Sequence, residues 1–199
     1  MILFEIFNTE EHPTYQRLQV SNLNRQYDFL RSLVNVAIEA ERPFLSQSII
    51  KSLNFQAITC LHTNAGEYRP CEVTVGEYQP PRFFQVQAMM DDFVNDVNRR
   101  WESMDPVVLA AYVLWKLNWI HPFINGNGRT ARVACYFVLC MKIGSWLPGD
   151  VTLPELIRQN RDKYIVALRH ADKTHKQKGA VDLLPLHELL SGLIETQLS

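Results

Sequence analysis

The stretch from His121 to Arg132, HPFINGNGRTAR, gathers the residues of this chain best suited to handling phosphate. Gly126 and Gly128 permit unusual backbone angles and close approach of a ligand. They lead into a helical pattern, and free N–H groups at a helix start, aided by the helix dipole, bind anions. Arg129 and Arg132 stand three residues apart and project from one side of the first turns. Two guanidinium forks placed there suit a di- or triphosphate. Arginines would be an odd choice for a core, because an unpaired buried charge is costly. The Lys-Ser/Thr ending of a Walker loop is absent. A lone histidine would read as a cap or a core residue, but His121 lies beside this cradle and can serve as general base toward an incoming hydroxyl. Phe123 reads as the anchor that holds the loop to the core.

The elements that must position this stretch are mostly helical. Ile2 to Phe7 reads as a short strand, followed by a polar turn at His12-Pro13. Tyr27, Leu30, Val34, Ala37 and Ile38 recur at helical spacing, and Pro43 punctuates that helix. Ser46 is a plausible cap for the next helix, which runs through Ile49, Ile50 and Leu53, and another helix ends near Leu61-His62. Residues 66–81, GEYRPCEVTVGEYQPP, carry the one convincing β signal, because Val73 and Val75 alternate with polar residues between prolines and glycines. They predict a small hairpin that must pack on helices or on another chain. Residues 83–101 are helical. Asp105-Pro106 starts a helix that is apolar almost all round and therefore central. Its successor begins inside the phosphate-type stretch and stops at Gly144. Residues 152–171 and 182–197 complete the helices, with an exposed charged segment, DKTHKQKGA, between them. The expected fold is mainly α with a β-hairpin. Residues 1–19 form a strand-and-turn extension, and residues 20–199 form the domain.

With 199 residues, 47% hydrophobic and 21% charged, the chain can bury one sizeable core. Its 20 basic and 21 acidic residues give a net charge of -1, which argues against nucleic acid or a membrane surface as partner. Cys60, Cys71, Cys135 and Cys140 form no CxxC pair and read as reduced, mostly core thiols. The chain opens with no basic region and no long apolar run, and the run from Val107 to Ile120 is too short to span a bilayer. Cytoplasmic is the default reading, although an effector exported by a specialised machine would look the same. His12, His62, His170, His175 and His187 show no ligand spacing. Trp115 and Trp119 read as core.

The stretch from 121 to 132 resembles the signature of the Fic family, His-Pro-Phe-x-(Asp/Glu)-Gly-Asn-(Gly/Lys)-Arg-x-x-Arg. Residues 61–81 resemble the family's flap hairpin, and NRDKYIVALRHAD, residues 160–172, resembles its later helix on the nucleotide side. The resemblance implies a Fic-type helical bundle and a protein adenylyltransferase. Such an enzyme moves AMP from ATP to a Ser, Thr or Tyr hydroxyl of a target protein and releases pyrophosphate. Carried over, His121 deprotonates the hydroxyl. Gly126, Asn127 and Gly128 form the anion hole, with Asn127 touching phosphate oxygens. Arg129 holds the β-phosphate and Arg132 the γ-phosphate. The flap, with Tyr68, Val73, Thr74 and Val75, docks the target by adding a strand to its edge.

Two positions depart from the family. Asn125 stands where the family has an acidic ligand for Mg²⁺, and an amide oxygen is a weaker ligand than a carboxylate. This leaves open an attenuated transferase, a transferase using another phosphate-containing donor, or a nucleotide-binding protein without turnover. Asp172 falls where some relatives have Asn near the adenine. An ionised carboxylate accepts hydrogen bonds and donates none, which puts the choice of base in question. Tyr164 fits as a packing residue beside that base. The family's inhibitory helix carries Ser/Thr-x-x-x-Glu-(Gly/Asn). Ser191 to Thr196 matches it at Glu195 but not at Thr196, and Asn35 to Ala40 matches it at Glu39 alone. Imperfect internal matches suggest a separate, small, antitoxin-like inhibitor as a further partner.

Overall fold

Side chains mark where the helices begin. Ser46 Oγ accepts from the Ile49 N–H at 3.1 Å, and the Asp105 carboxylate accepts from Val107 and Val108 at 2.8 and 3.1 Å. The computed structural model describes residues 1–41 and 44–199. Its helices run in the order α1 (Leu3–Phe7), α2 (Pro13–Glu39), α3 (Gln47–Ile58), α4 (Val86–Arg99), α5 (Pro106–Ile120), α6 (Asn127–Ile143), α7 (Leu153–Gln159), α8 (Arg161–Lys178) and α9 (Leu184–Leu198). A single 3-10 turn, Phe83–Gln85, leads into α4. Pro43, expected to punctuate the helix ending at Glu39, lies outside the described residues.

The core is organised around α5 and α6, which are joined by the loop of the phosphate-type stretch and pair along their lengths. Nine residues of α5 are buried, including Trp115, and the run from Val133 to Met141 in α6 is buried without interruption. Such all-round apolarity is what a helix needs when it is covered on every side. Helices α2 and α3 cover α6, α4 covers α5, and α7, α8 and α9 close the remaining faces. Truncating a residue such as Phe137 or Trp115 in this layer would cost about 3–5 kcal/mol. Among the described residues, no helix is long and apolar enough to cross a membrane.

Four expectations about local structure and thiol burial need correction. Residues 3–7 form a helix, not a strand. Leu3 and Phe7, four apart, pack with Tyr15, Leu18 and Leu61, and the Leu3 and Phe4 N–H groups donate to the carbonyls of Cys60 and Leu61 at 2.9 and 3.0 Å. Packing on one face with helical period outweighed the strand-like composition. The hairpin at 66–81 is absent. What remains is one antiparallel bridge, Val75 to Tyr78, around a tight turn with Gly76 at φ 58°. No second strand is available to it among the described residues, and the surrounding prolines cannot donate to a ladder. The segment DKTHKQKGA is mostly helical, because α8 runs on to Lys178 and ends at Gly179, φ 67°. Buried Ala171 and Thr174 hold that extension, with Thr174 Oγ1 accepting from the Asp182 N–H at 3.0 Å. Only Cys135 and Cys140 are core thiols, since Cys60 and Cys71 are exposed. The expected division between residues 19 and 20 falls inside α2, a continuous helix.

Candidate active site

The loop between α5 and α6 takes its shape from backbone angles that few residues adopt. His121 ends α5 in the left-handed region, at φ 53° and ψ 59°, and Pro122 prevents the helix from continuing. Gly126 stands at φ 75° immediately before α6. A Cβ there would lie 2.6 Å from Ile58 Cγ2, so both the angle and the space require glycine. No side chain caps the start of α6. Its first N–H groups are thus presented at the positive end of a 17-residue helix.

Buried amides lock this loop. Asn127 accepts from the Phe123 N–H at 2.9 Å and donates to the Phe123 carbonyl at 2.8 Å. Its side chain therefore shapes the turn. Phe123 itself is fully buried, as expected of the anchor. Asn54, on α3 and fully buried, donates to the Asn125 carbonyl at 3.0 Å and to Thr130 Oγ1 at 3.2 Å, and accepts from the Gly66 N–H at 3.0 Å.

Beside the loop lies a cleft of about 830 Å³. Its walls bring together His121, Gly128, Arg132, Tyr164 and Asp172, five residues singled out from the sequence. Arg158, Arg161, Arg169, Lys173 and Lys176 join Arg132, so six basic side chains face two acidic ones, Glu77 and Asp172. On a chain of net charge -1, that concentration marks an anion site. The sequence reading missed the α8 cations Arg161, Arg169, Lys173 and Lys176, although their spacing along one helix face was visible in residues 161–176.

The two arginines of the stretch part company. Arg132 lines the cleft and has no hydrogen-bond or ion-pair partner among the described residues. Arg129 turns toward α2 and α3, donating to Asn125 Oδ1 at 2.8 Å and to the Ala57 carbonyl at 3.3 Å. Burial lowers both guanidinium pKa values, but from a starting point that leaves them charged. Asn125 is engaged on both sides, because its Nδ2 donates to Glu10 Oε1 at 2.9 Å.

His121 is largely enclosed, and burial pushes its pKa down to about 4. At neutral pH its imidazole is uncharged and able to take a proton. Its carbonyl accepts from Arg69 Nε at 2.9 Å. Arg69 is 2% exposed and was not foreseen from the sequence. It also reaches the carbonyls of Cys71 and Pro81, and its own N–H donates to the Pro122 carbonyl at 2.8 Å. One side chain thereby ties both ends of the segment 71–81 to the histidine. Tyr78 adds a second tie, with its hydroxyl donating to the Trp119 carbonyl at 2.6 Å. Of the four expected flap residues, Val75 lines the cleft and Thr74 is exposed, while Val73 is half-buried. Tyr68 is elsewhere: its ring packs on Phe123 and its hydroxyl donates to Gln47 Oε1 at 2.9 Å.

At the far end, Asp172 Oδ1 accepts from Trp115 Nε1 at 2.9 Å, and burial raises the Asp172 pKa. Tyr164 is 5% exposed, and its hydroxyl accepts from Asn118 Nδ2 at 2.8 Å. Glu195 is exposed on α9 and forms no ion pair with Arg132, and Glu39 is exposed at the end of α2.

Residues 44–139 match the model of the Fic/DOC family. That match takes in α5, the loop from His121 to Arg132 and most of α6. It is 38% identical over 109 residues to protein adenylyltransferase Fic of Drosophila persimilis, an overlap of 54% of this chain and 20% of that protein. The chain thus spans about a fifth of that relative's length. Among solved structures, Fic-1 from C. elegans superposes with a TM-score of 0.68 at 25% identity, covering 90% of this chain and 49% of the other. A Fic domain containing signaling protein from Bacteroides thetaiotaomicron reaches 0.71 at 22% identity, covering 98% and 76%, and shows the same fold. The helical Fic fold expected from the sequence is present, without the hairpin.

Proposed function

We propose that this Fic chain is a protein adenylyltransferase that moves AMP from ATP to a Ser, Thr or Tyr hydroxyl of a target protein. The observation that carries this reading is the pairing of an uncharged His121 with the open helix start and the basic cleft that ends at Arg132. The name of the Drosophila persimilis relative, protein adenylyltransferase Fic, points the same way.

In this reading the triphosphate lies along the start of α6 with Arg132 at its far phosphate, and the base lies toward Tyr164 and Asp172. The target hydroxyl attacks the α-phosphorus in line. Its proton passes to a ring nitrogen of His121, the new P–O bond forms, and the bond to the β-phosphate oxygen breaks with release of pyrophosphate. Little covalent chemistry is asked of the protein, so positioning and charge neutralisation supply most of the acceleration. Arg129 contributes by holding Asn125 and the loop rather than by meeting a phosphate directly. Val73, Thr74 and Val75 stand at the rim where an extended target segment would pass, and the protein substrate is placed there.

Mg²⁺, which the family implies, is not well served by the residues present. No group of three His, Cys, Asp or Glu side chains that could hold a metal occurs among the described residues. Asn125, the residue at the expected metal position, gives its oxygen to Arg129. This engagement of Asn125 favours a second reading, in which the cleft binds nucleotide and turns it over slowly or not at all. Asp172 favours a third, a donor whose base presents hydrogen-bond donors to a carboxylate. The open Arg132 and the exposed Glu195 are consistent with inhibition, where it occurs, by a separate small protein.

The test is adduct formation. Purified protein with labelled ATP and a lysate should give AMP-modified protein detectable by mass spectrometry. His121→Ala should abolish it while leaving binding of the non-hydrolysable analogue AMPPNP intact. Equal labelling by both proteins would sink the transferase reading, and binding without labelling would select the second.

A further inference from the structure

We propose that Glu10 is a positioning residue for the loop, carrying from the N-terminal segment the carboxylate that position 125 lacks. The proposal deepens the reading of the cleft as a nucleotide site and rests on that reading for its consequence in function.

Glu10 Oε1 accepts from Asn125 Nδ2 at 2.9 Å and lies 3.2 Å from His62 Nε2. Asn125 Oδ1 faces Arg129 at 2.8 Å. These partners settle the amide's orientation, because a carboxylate accepts and must meet the NH₂, while a guanidinium donates and must meet the oxygen. The order Glu10, Asn125, Arg129 is thus an acid and a base joined through an amide that satisfies both. An acid at 125 in the same place would meet Glu10 carboxylate to carboxylate. Asparagine at 125 and glutamate at 10 are therefore one arrangement, not two independent choices.

The segment bearing Glu10 is built to stay. Its Leu3 and Phe4 N–H groups bond to the turn after α3, Phe4 stacks on His62 at 4.6 Å between centroids, and Gln16 Nε2 donates to the Glu10 carbonyl at 3.2 Å. Tyr15, fully buried, approaches His62 Nε2 with its hydroxyl at 2.8 Å. Two sequence-distant pieces, residues 3–15 and the loop at 125, are thereby closed onto the same corner of α3.

The polarity of the pair can be reversed. Gln at 10 and Asp at 125 would keep one amide-to-carboxylate hydrogen bond with the charge moved to the loop. The experiment is a double-mutant cycle of Glu10→Gln, Asn125→Asp and the two combined, read by thermal midpoint. Asn125→Asp alone should lower Tm by roughly 3 °C or more, and adding Glu10→Gln should return it to within about 1 °C of the parent. Strictly additive effects, or no effect of Asn125→Asp, would overturn the proposal. A structural role alone would not move the Asn125 side-chain amide resonance specifically. That NMR signal should shift in Glu10→Ala and stay near its parent position in Glu10→Gln, where an amide oxygen still accepts. An unmoved signal in Glu10→Ala overturns the assignment. Coupling in the cycle with no AMPPNP binding by any variant would leave the Glu10 pairing standing and remove the nucleotide-site reading instead.

Discussion

The loop from His121 to Arg132 and the rim from Val75 to Tyr78 face the same cleft, yet they are held in opposite ways. The loop is locked from inside by Asn54, Asn127 and Phe123, all buried, and by a glycine that no other residue can replace without strain. The rim is mostly exposed and hangs from Arg69 at its two ends and Tyr78 near its tip. A fixed loop and a lightly tethered rim are what a site needs if it must hold one small ligand in register and admit a variable polypeptide beside it.

The comparison can be broken most forcefully at His121. His121→Ala should reduce label transfer by about 10²–10⁴-fold, the range for loss of a general base, with AMPPNP affinity measured by calorimetry changed less than about 3-fold. The same residue gives the pH dependence. Its folded pKa of about 4 lies below the usual 6.5 of an unfolded chain. It therefore stays uncharged in the free protein where an ordinary histidine would protonate, and transfer per unit of free protein should stay flat as pH falls from 8 to about 5.5. The linked stability is fully present above pH 6.5 and is lost as pH falls through about 4, because the unfolded chain takes up the proton first. A titration with an acid limb centred at 6.5 would contradict the enclosure of His121.

Next in size is the lock. Asn127→Ala leaves the Phe123 N–H and carbonyl without partners and should cost about 2–4 kcal/mol in urea unfolding. Arg132→Ala should weaken AMPPNP by about 10–100-fold, the worth of charged hydrogen bonds to phosphate, while Arg129→Ala weakens it less and acts on stability. The smallest effect belongs to the rim. Tyr78→Phe should lower stability by about 1 kcal/mol or less and should raise KM for a protein target more than for nucleotide. A rim variant as destabilising as Asn127→Ala would erase the distinction between the two regions.

What the sequence made legible follows from the range of the forces involved. Capping is local, so Ser46 and Asp105 were readable, as were the helix break at His121-Pro122 and the stop at Gly144. All-round apolarity announced α5. The corrections lie where tertiary contacts decide. Leu3–Phe7 is a helix because Tyr15 and Leu61 lie beneath it, and residues 73–78 fail as a hairpin because no second strand meets them. Within the site, His121, Gly128, Arg132, Tyr164 and Asp172 were named and do line one cleft. The bracing of Phe123 by the Asn127 side chain was not foreseen. Arg69, Asn54 and Glu10 were invisible because their partners lie 52, 71 and 115 positions away. No spacing rule reaches that far.

The measurement that bears most directly on the central claim is mass spectrometry of lysate proteins after incubation with each labelled nucleoside triphosphate, with and without Mg²⁺ or Mn²⁺. The parent protein would be run beside His121→Ala, Asn125→Asp and the combined Glu10→Gln, Asn125→Asp variant. The account predicts an AMP adduct from ATP that requires His121, with the combined variant at least as active as the parent and more active than Asn125→Asp alone. No adduct from any nucleotide with any of these proteins would contradict it.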